Sequence, residues 1–195
     1  DDKLQQTLHK MPSEADCELI VVNKWNTIPD GYQTELTTLS NGKQIASRIY
    51  PALQDLFDAM RADGIYPIVR EGYRTTTDQQ SILDDKIKAY EQEGLSSLLA
   101  KKMASEWVAA PGTSEHQLGI AVDINADKTK STNDEVYTWL AEHAWEYGFI
   151  LRYPKDKENV TGTGYEPWHY RYVGKEAAKE IWQEGCCLEE YVTQN

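Results

Sequence analysis

The stretch at residues 119–124 (GIAVDI) constrains the fold of this chain more than any other. Its three large aliphatic residues alternate with Ala121 and Asp123, which is the period-two pattern of a β-strand. Asp123 is therefore predicted to face away from the aliphatic side chains, next to a small neighbour. A carboxylate in the middle of an apolar strand is costly unless it pairs with a cation or binds a metal. We therefore expect a polar site to be built against this strand.

Two histidines accompany Asp123 in the sequence. His116 precedes it by seven residues, and His169 ends the segment Glu166-Pro-Trp-His. Zinc hydrolases usually take three protein ligands from His, Asp and Glu and leave one position for water. Two neutral histidines and one carboxylate leave about one net positive charge, which lowers the pKa of that water toward about 7. We therefore expect His116, Asp123 and His169 to hold one Zn²⁺ ion, with Glu166 as general base and then acid.

Each of these residues also has a simpler interpretation. His116 could be a structural histidine, and Asp123 could be an ordinary inward-facing acid or a strand-end cap. The window that contains Glu166 is short enough to arise by chance. The metal site is favoured because it explains all the residues together, and because Pro167 prevents this window from forming a regular helix.

The composition is that of a globular domain, and the charge disfavours two classes of partner. The chain has 195 residues, of which 40% are hydrophobic and 27% charged, enough for one sizeable core. The formal net charge of -12 disfavours nucleic acid and direct adhesion to an anionic membrane surface. No apolar run approaches the roughly 18 residues of a membrane-spanning helix.

We expect an N-terminal arm at residues 1–18, with His9 as a surface histidine, followed by one domain at residues 19–195. The chain begins with Asp1, so a preceding segment with any signal or membrane anchor is expected to have been cleaved or left out. Cys17 could form a disulfide with one of the adjacent cysteines 186 and 187 in an oxidising compartment, or all three could be free thiols.

Short strands and helices alternate without a regular β-α-β order. Strands are predicted at residues 18–23, 66–71, 120–124, 149–152 and 168–173. Helices are predicted at residues 49–63, 76–93, 96–108, 133–147 and 175–184. Some connections between strands lack a helix, which predicts an α+β fold with a small antiparallel sheet flanked by helices.

The two metal motifs together resemble a known family. Ser114-x-His116-x6-Asp123 with Glu166-Pro-Trp-His169 is similar to the zinc D,D-carboxypeptidases of bacterial cell walls, which include the VanY-type enzymes and share the LAS fold. Further segments are also similar to VanY-type enzymes, and the resemblance covers about residues 19–184. These segments are Asn23-Lys-Trp-Asn, Gly72-Tyr-Arg-Thr-x3-Gln and Leu151-Arg-Tyr-Pro.

The resemblance implies roles for five more residues. Arg74 would polarise the scissile carbonyl and stabilise the oxyanion. Gln79, Ser114 and Tyr153 would hold the terminal residue of the substrate and its carboxylate, and Trp168 would line the wall behind the second histidine. The simpler alternatives are an ion pair between Arg74 and Asp78, a helix-surface position for the glutamine and a core position for the tyrosine.

The activity that the resemblance implies is removal of the terminal D-alanine from peptidoglycan stem peptides that end in D-Ala-D-Ala, which contributes to glycopeptide (vancomycin) resistance. A monomer at the extracytoplasmic face of the membrane is expected, reaching its substrate from an anchor outside this chain. Because dipeptidase relatives work in the cytoplasm, that compartment stays an alternative. An L,D-carboxypeptidase, a cell-wall endopeptidase of the same family, and a non-catalytic zinc-bearing binding module like the Hedgehog signalling domain also remain open.

Overall fold

Short strands and helices alternate along residues 17–194, the part of the chain that the computed structural model describes. The predicted arm, with His9, therefore lies almost entirely outside the described residues. In chain order the elements are β1 (Leu36–Thr38), β2 (Gln44–Ala46), α1 (Tyr50–Ala62), β3 (Pro67–Glu71), α2 (Thr76–Gln92), α3 (Ser97–Trp107), β4 (Ala121–Ala126), α4 (Asn133–His143), β5 (Phe149–Leu151), α5 (Glu158–Thr161), β6 (His169–Tyr172), α6 (Lys175–Glu184) and α7 (Leu188–Gln194).

Four strands form an antiparallel sheet in the order β3-β4-β6-β5, and β1 pairs with β2 in a separate antiparallel hairpin. The predicted α+β class is confirmed. The register of the two central strands places Asp123 of β4 directly opposite His169 of β6. Directly opposed residues have Cβ atoms about 5 Å apart, so strand pairing brings these two side chains together.

The apolar face of the sheet is covered by helices. Val122 and Ile124 of β4 are fully buried there. Their core neighbours include Leu53, Leu56 and Met60 of α1 and Val136 and Leu140 of α4. Full burial of one such side chain contributes about 1.5–3 kcal/mol. The aliphatic core thus fixes the strand that presents Asp123 on its other face.

The segment predicted as a strand at residues 18–23 is not one. Its backbone hydrogen bonds are local: the N–H of Ile20 donates to the carbonyl of Cys17 at 3.4 Å, and Asn23 forms an isolated bridge with Asn26. The carbonyl oxygens of Glu18 and Ile20 instead accept hydrogen bonds from Nη2 of Arg171, both at 2.8 Å. A side chain therefore satisfies the backbone groups that a strand ladder would have used.

The C-terminal end of the chain is also ordered by packing, through α7, which the sequence pattern did not predict. Leu188 is buried in a small cluster with Ile181 of α6. Cys186 and Cys187 precede α7 and carry free thiols, so neither of the alternative bridges to them is formed. Among residues 17–194, no helix combines the length and apolarity needed to cross a membrane.

Thr132 caps α4, directly before the start of this helix that was predicted at residue 133. Its hydroxyl accepts from the N–H of Glu135 at 3.2 Å, and the Glu135 carboxylate accepts from the Thr132 N–H at 2.7 Å. The Asn133 side chain is used elsewhere, since its Oδ1 accepts from the N–H of Ala126 at the end of β4.

We predict that Thr132→Ala lowers the free energy of unfolding by about 1 kcal/mol, because it removes this cap. Thr138→Ala, on the exposed face of the same helix, should leave stability unchanged or raise it slightly, because alanine has the higher helix propensity. Urea unfolding of both variants checks the prediction, and equal stabilities would contradict it.

Candidate functional site

Three side chains from different parts of the chain converge on one point beside the sheet. His116 lies in the 3-10 turn Glu115–Leu118, Asp123 in β4 and His169 at the start of β6. One potential ligand atom from each lies within 4.8 Å of the others. Asp123 Oδ1 is 3.3 Å from Nε2 of His116 and 3.0 Å from Nδ1 of His169. The structure thus brings the three residues of the predicted zinc site together.

The hydrogen bonds behind the histidines decide which nitrogen faces this point. Nδ1 of His116 is 2.9 Å from the carbonyl oxygen of Gly72, and Nε2 of His169 is 2.7 Å from Glu115 Oε1. Both partners are acceptors, so these nitrogens carry the protons and the other two present lone pairs. Asp123 Oδ1 is buried and has no hydrogen-bond partner. Three lone pairs that face one another repel unless a cation lies between them, and this donor set suits zinc.

A buried ion network stands behind His169. The Glu115 carboxylate is fully buried and accepts from Nε of Arg152 at 2.9 Å and from Nη1 of Arg171 at 3.0 Å. Arg152 in turn makes two hydrogen bonds to Glu189 of α7, at 2.9 and 2.7 Å. Although burial raises it, the charges of the two arginines hold the pKa of Glu115 well below its ordinary value. Glu115 is therefore an ionised acceptor that fixes the orientation of the histidine ring.

The sequence analysis missed Glu115. Its signal was present, because Glu115 lies between two residues of the predicted motif. Arg152 and Arg171 stand in two strands predicted from apolar and aromatic residues, where buried arginines require acidic partners. What the sequence did not reveal was that these strands place both guanidinium groups on the same carboxylate.

Glu166 lies beside the three convergent residues and is partly buried. Its Oε2 is 3.6 Å from Nδ1 of His169, and its backbone N–H donates to the carbonyl of Tyr153 at 3.1 Å. Burial raises the pKa of Glu166 above its ordinary value, although the neighbouring His169 acts in the opposite direction. A carboxyl group with a raised pKa next to a reacting centre is suited to proton transfer.

Arg74 is held in place by side chains other than Asp78. Its Nη1 donates to Oε1 of Gln79 at 3.3 Å, and its Nε lies 3.5 Å from Glu71 Oε2. Gln79 is buried rather than on a helix surface, and its Nε2 donates to the carbonyl of Ala109 at 2.7 Å. Asp78 is engaged in the cap of α2. The structure therefore does not form the alternative ion pair between Arg74 and Asp78.

All nine residues that the sequence analysis singled out line one cleft of about 290 Å³. They are Arg74, Gln79, Ser114, His116, Asp123, Tyr153, Glu166, Trp168 and His169. Tyr153 is buried, with its ring centroid 4.8 Å from that of His169, whereas Trp168 is 36% exposed. The cleft therefore combines a candidate metal site, a carboxyl group suited to proton transfer and a guanidinium group.

This chain is similar to known proteins in sequence and in fold. The family described as VanY, D-alanyl-D-alanine carboxypeptidase, matches residues 42–175. A D-alanyl-D-alanine carboxypeptidase of Enterococcus faecalis is 58% identical over 186 residues, which are 95% of this chain and 69% of that protein. This chain is also similar to the crystal structure of a vancomycin-resistance D,D-pentapeptidase, a VanY variant from a VanB-type cassette in complex with Zn(II). The sequence identity is 60% and the TM-score is 0.86, and the similarity covers 90% of this chain and 99% of that one.

A further solved structure, VanYB in complex with D-alanine-D-alanine, has the same identity of 60% and TM-score of 0.86. The similarity covers 90% of this chain and 97% of that one. The two solved structures thus contain, between them, a metal ion and a dipeptide.

We predict that Gly72→Ala disturbs the metal site. A Cβ at this position would lie 2.2 Å from the backbone oxygen of Gln44, so the segment whose carbonyl orients His116 must shift. The expected loss of stability is about 1–3 kcal/mol, with weaker zinc binding in chelator competition. Gly164→Ala, which meets no atom within 4 Å, is the matched control and should match the wild type in both measurements.

We also predict that Glu115→Gln, which keeps the shape of the side chain, destabilises the fold by about 3–5 kcal/mol because it leaves two buried arginines short of a counter-charge. Zinc affinity should fall by about tenfold to 100-fold, since the partner of a ligand histidine is altered. Glu190→Gln removes a more exposed ion pair with Lys157 and should cost at most about 1 kcal/mol. Equal effects of the two substitutions would contradict the proposed role of the buried network.

Proposed function

Since this chain belongs to the VanY family of D-alanyl-D-alanine carboxypeptidases, we propose that it is a zinc-dependent D,D-carboxypeptidase that removes the terminal D-alanine from peptidoglycan stem peptides ending in D-Ala-D-Ala. The observation that carries the proposal is the convergence of His116, Asp123 and His169 in a cleft that Glu166 and Arg74 also line. The similarity to structures in complex with Zn(II) and with D-alanine-D-alanine supports both the metal and the substrate.

One zinc ion would be held by Nε2 of His116, the carboxylate of Asp123 and Nδ1 of His169. When bound, the ion supplies a positive charge that makes water more acidic and polarises a peptide carbonyl. The protein fixes both histidine tautomers in advance through the Gly72 carbonyl and the Glu115 carboxylate. Such outer partners orient the ligands and keep their lone pairs directed at the metal position.

Glu166 takes the proton from the attacking water and then delivers it to the nitrogen of the leaving D-alanine. Partial burial raises the pKa of Glu166 and so brings it closer to the working pH, which favours both proton transfers. The backbone hydrogen bond to Tyr153 holds the start of the Glu166-Pro-Trp-His segment against the cleft.

Arg74 stabilises the negative charge that develops on the carbonyl oxygen of the scissile bond. Its contacts with Gln79 and Glu71 restrict its position before substrate binds, so little reorganisation is needed during the reaction. Ser114, Gln79 and Tyr153 donate hydrogen bonds to the terminal carboxylate of the substrate.

The wall of the terminal-residue subsite includes Tyr153 and Trp168. Burial raises the pKa of Tyr153, so its phenol keeps its proton and remains a donor. Trp168 covers the side of the cleft next to His169. A non-catalytic binding module would need neither Glu166 nor Arg74 at these positions, which favours an enzyme.

The proposed location is the extracytoplasmic side of the bacterial cell membrane, where stem peptides ending in D-Ala-D-Ala lie. Removing the terminal D-alanine deprives a glycopeptide antibiotic such as vancomycin of its target. We further propose that the enzyme is a monomer, that residues 19–195 are its carboxypeptidase domain and that any membrane attachment comes from a segment outside these 195 residues.

The test is release of D-alanine by the zinc-loaded protein from a pentapeptide that ends in D-Ala-D-Ala. A chelator should abolish release and added Zn²⁺ should restore it. Glu166→Gln should lower kcat by about 100-fold to 10,000-fold while the zinc content by metal analysis stays unchanged. Glu142→Gln, an exposed acid on α4, is the control and should behave as the wild type.

Three results would contradict the proposal in different ways. Unchanged activity of Glu166→Gln would remove this residue from the mechanism. Cleavage of the tetrapeptide but not the pentapeptide would identify an L,D-carboxypeptidase. Zinc binding without turnover of any stem peptide would favour a binding module.

A further inference from the structure

A tight turn at residues 23–26 (NKWN) forms part of the cleft wall. Asn23 and Asn26 exchange backbone hydrogen bonds of 3.0 and 3.2 Å. The Oδ1 atom of the buried Asn23 also accepts from the backbone N–H groups of Trp25 and Asn26, at 3.0 and 2.9 Å. These bonds fix the turn before any ligand binds. The metal site does not require such a turn, so its position at the cleft needs another explanation.

The turn is connected to the metal site through the buried ion network. Nδ2 of Asn23 donates to Glu189 Oε1 at 3.2 Å. The same carboxylate binds Arg152, which in turn binds the Glu115 carboxylate behind His169. The distance between the turn and the candidate metal site is therefore fixed by a continuous series of hydrogen bonds between side chains.

Lys24 is the residue that this turn presents to the cleft. Its ammonium nitrogen lies 4.5 Å from the ring centroid of Trp25. The Cδ and Cε atoms of Lys24 lie beside Gly162, where an added Cβ would approach them to 3.2 and 3.1 Å. The aromatic ring and the glycine therefore leave room for an extended lysine side chain on this wall.

The charge of Lys24 is not balanced locally. Among residues 17–194, no carboxylate lies within ion-pairing distance of its ammonium group, although the whole chain has a net charge of -12. The other cationic residue that lines the cleft is Arg74, which already contacts Glu71 and Gln79. The cleft thus offers a substrate a second cation on a separate wall.

We propose that Lys24 recognises a second carboxylate on the peptide substrate, upstream of the bond that is cleaved. The chemical class is a peptide whose C-terminal carboxylate lies near Arg74 and which carries another acid on its N-terminal side. A stem peptide with a γ-linked glutamate has such a group, because its α-carboxylate stays free unless it is amidated. This inference rests on the proposed carboxypeptidase function and adds a preference between two forms of its substrate.

The experiment compares kcat/KM for two pentapeptides that end in D-Ala-D-Ala, one with a free α-carboxylate on the γ-linked glutamate and one with the amide. The wild type should prefer the acid by about threefold to fivefold, the size expected for a solvent-exposed charge pair. The preference should lie mainly in KM, since this group is remote from the reacting bond, and it should shrink as salt is added.

Three variants assign the preference to Lys24. Lys24→Ala should cleave the acid and the amide with equal kcat/KM, and Lys24→Arg should keep the preference. Lys130 provides the matched control, because it also lies over an aromatic ring, 4.9 Å from the centroid of Tyr66, but does not line the cleft. Lys130→Ala should show the wild-type preference.

The inference is overturned if the wild type cleaves both pentapeptides equally, or if Lys24→Ala keeps the preference for the acid. A short substrate, acetyl-Lys-D-Ala-D-Ala, lacks the upstream carboxylate, and the wild type and Lys130→Ala should both release D-alanine from it. Absence of D-alanine release from this substrate by the wild type would instead contradict the proposed function itself, so the two failures are distinguishable.

Discussion

The buried carboxylate of Glu115 is the interaction on which the rest of the site depends. It binds two arginines and one candidate metal ligand, all of them excluded from water. A buried charge is tolerated only when its partners are close and well oriented, and here each of the two arginines also has further hydrogen bonds that fix it. Arg171 donates hydrogen bonds to backbone carbonyls in the segment at residues 18–23, and Arg152 donates to Glu189 of α7. The position of His169 is therefore determined by groups from both ends of the described chain.

The parts of the fold that depend on periodicity were predictable. The alternation around Asp123 predicted the central strand, and most of the helices lie close to their predicted ranges. The prediction of a strand at residues 18–23 was wrong. Strand propensity does not reveal that the side chain of Arg171 donates hydrogen bonds to carbonyl groups of this segment. The last helix was missed because seven residues with few apolar side chains carry little periodic signal, and Leu188 is ordered by packing.

The candidate site was predictable to the extent that zinc chemistry restricts its ligands. Two histidines and an aspartate were recognisable because each is unusual in its sequence context, and the structure brings them within reach of one ion. The residues that orient these ligands were harder to predict, because their roles arise from how the chain folds around the antiparallel sheet. Glu115 and Gly72 contribute through what they orient. Both lie in segments that the sequence analysis singled out, but their residue types alone do not identify this role. Their roles are visible only once the hydrogen bonds to the histidines are known.

Glu189 links the local stability of α7 to the geometry of the cleft. It lies in the last described helix and binds both Arg152, which belongs to the buried network, and Asn23, which lines the cleft. A helix of seven residues has few hydrogen bonds of its own and can open locally while the rest of the domain stays folded. When this helix opens, Arg152 and Asn23 lose the carboxylate that joins them, although the aliphatic core behind the sheet stays packed. The local stability of this short helix therefore limits the rigidity of the cleft.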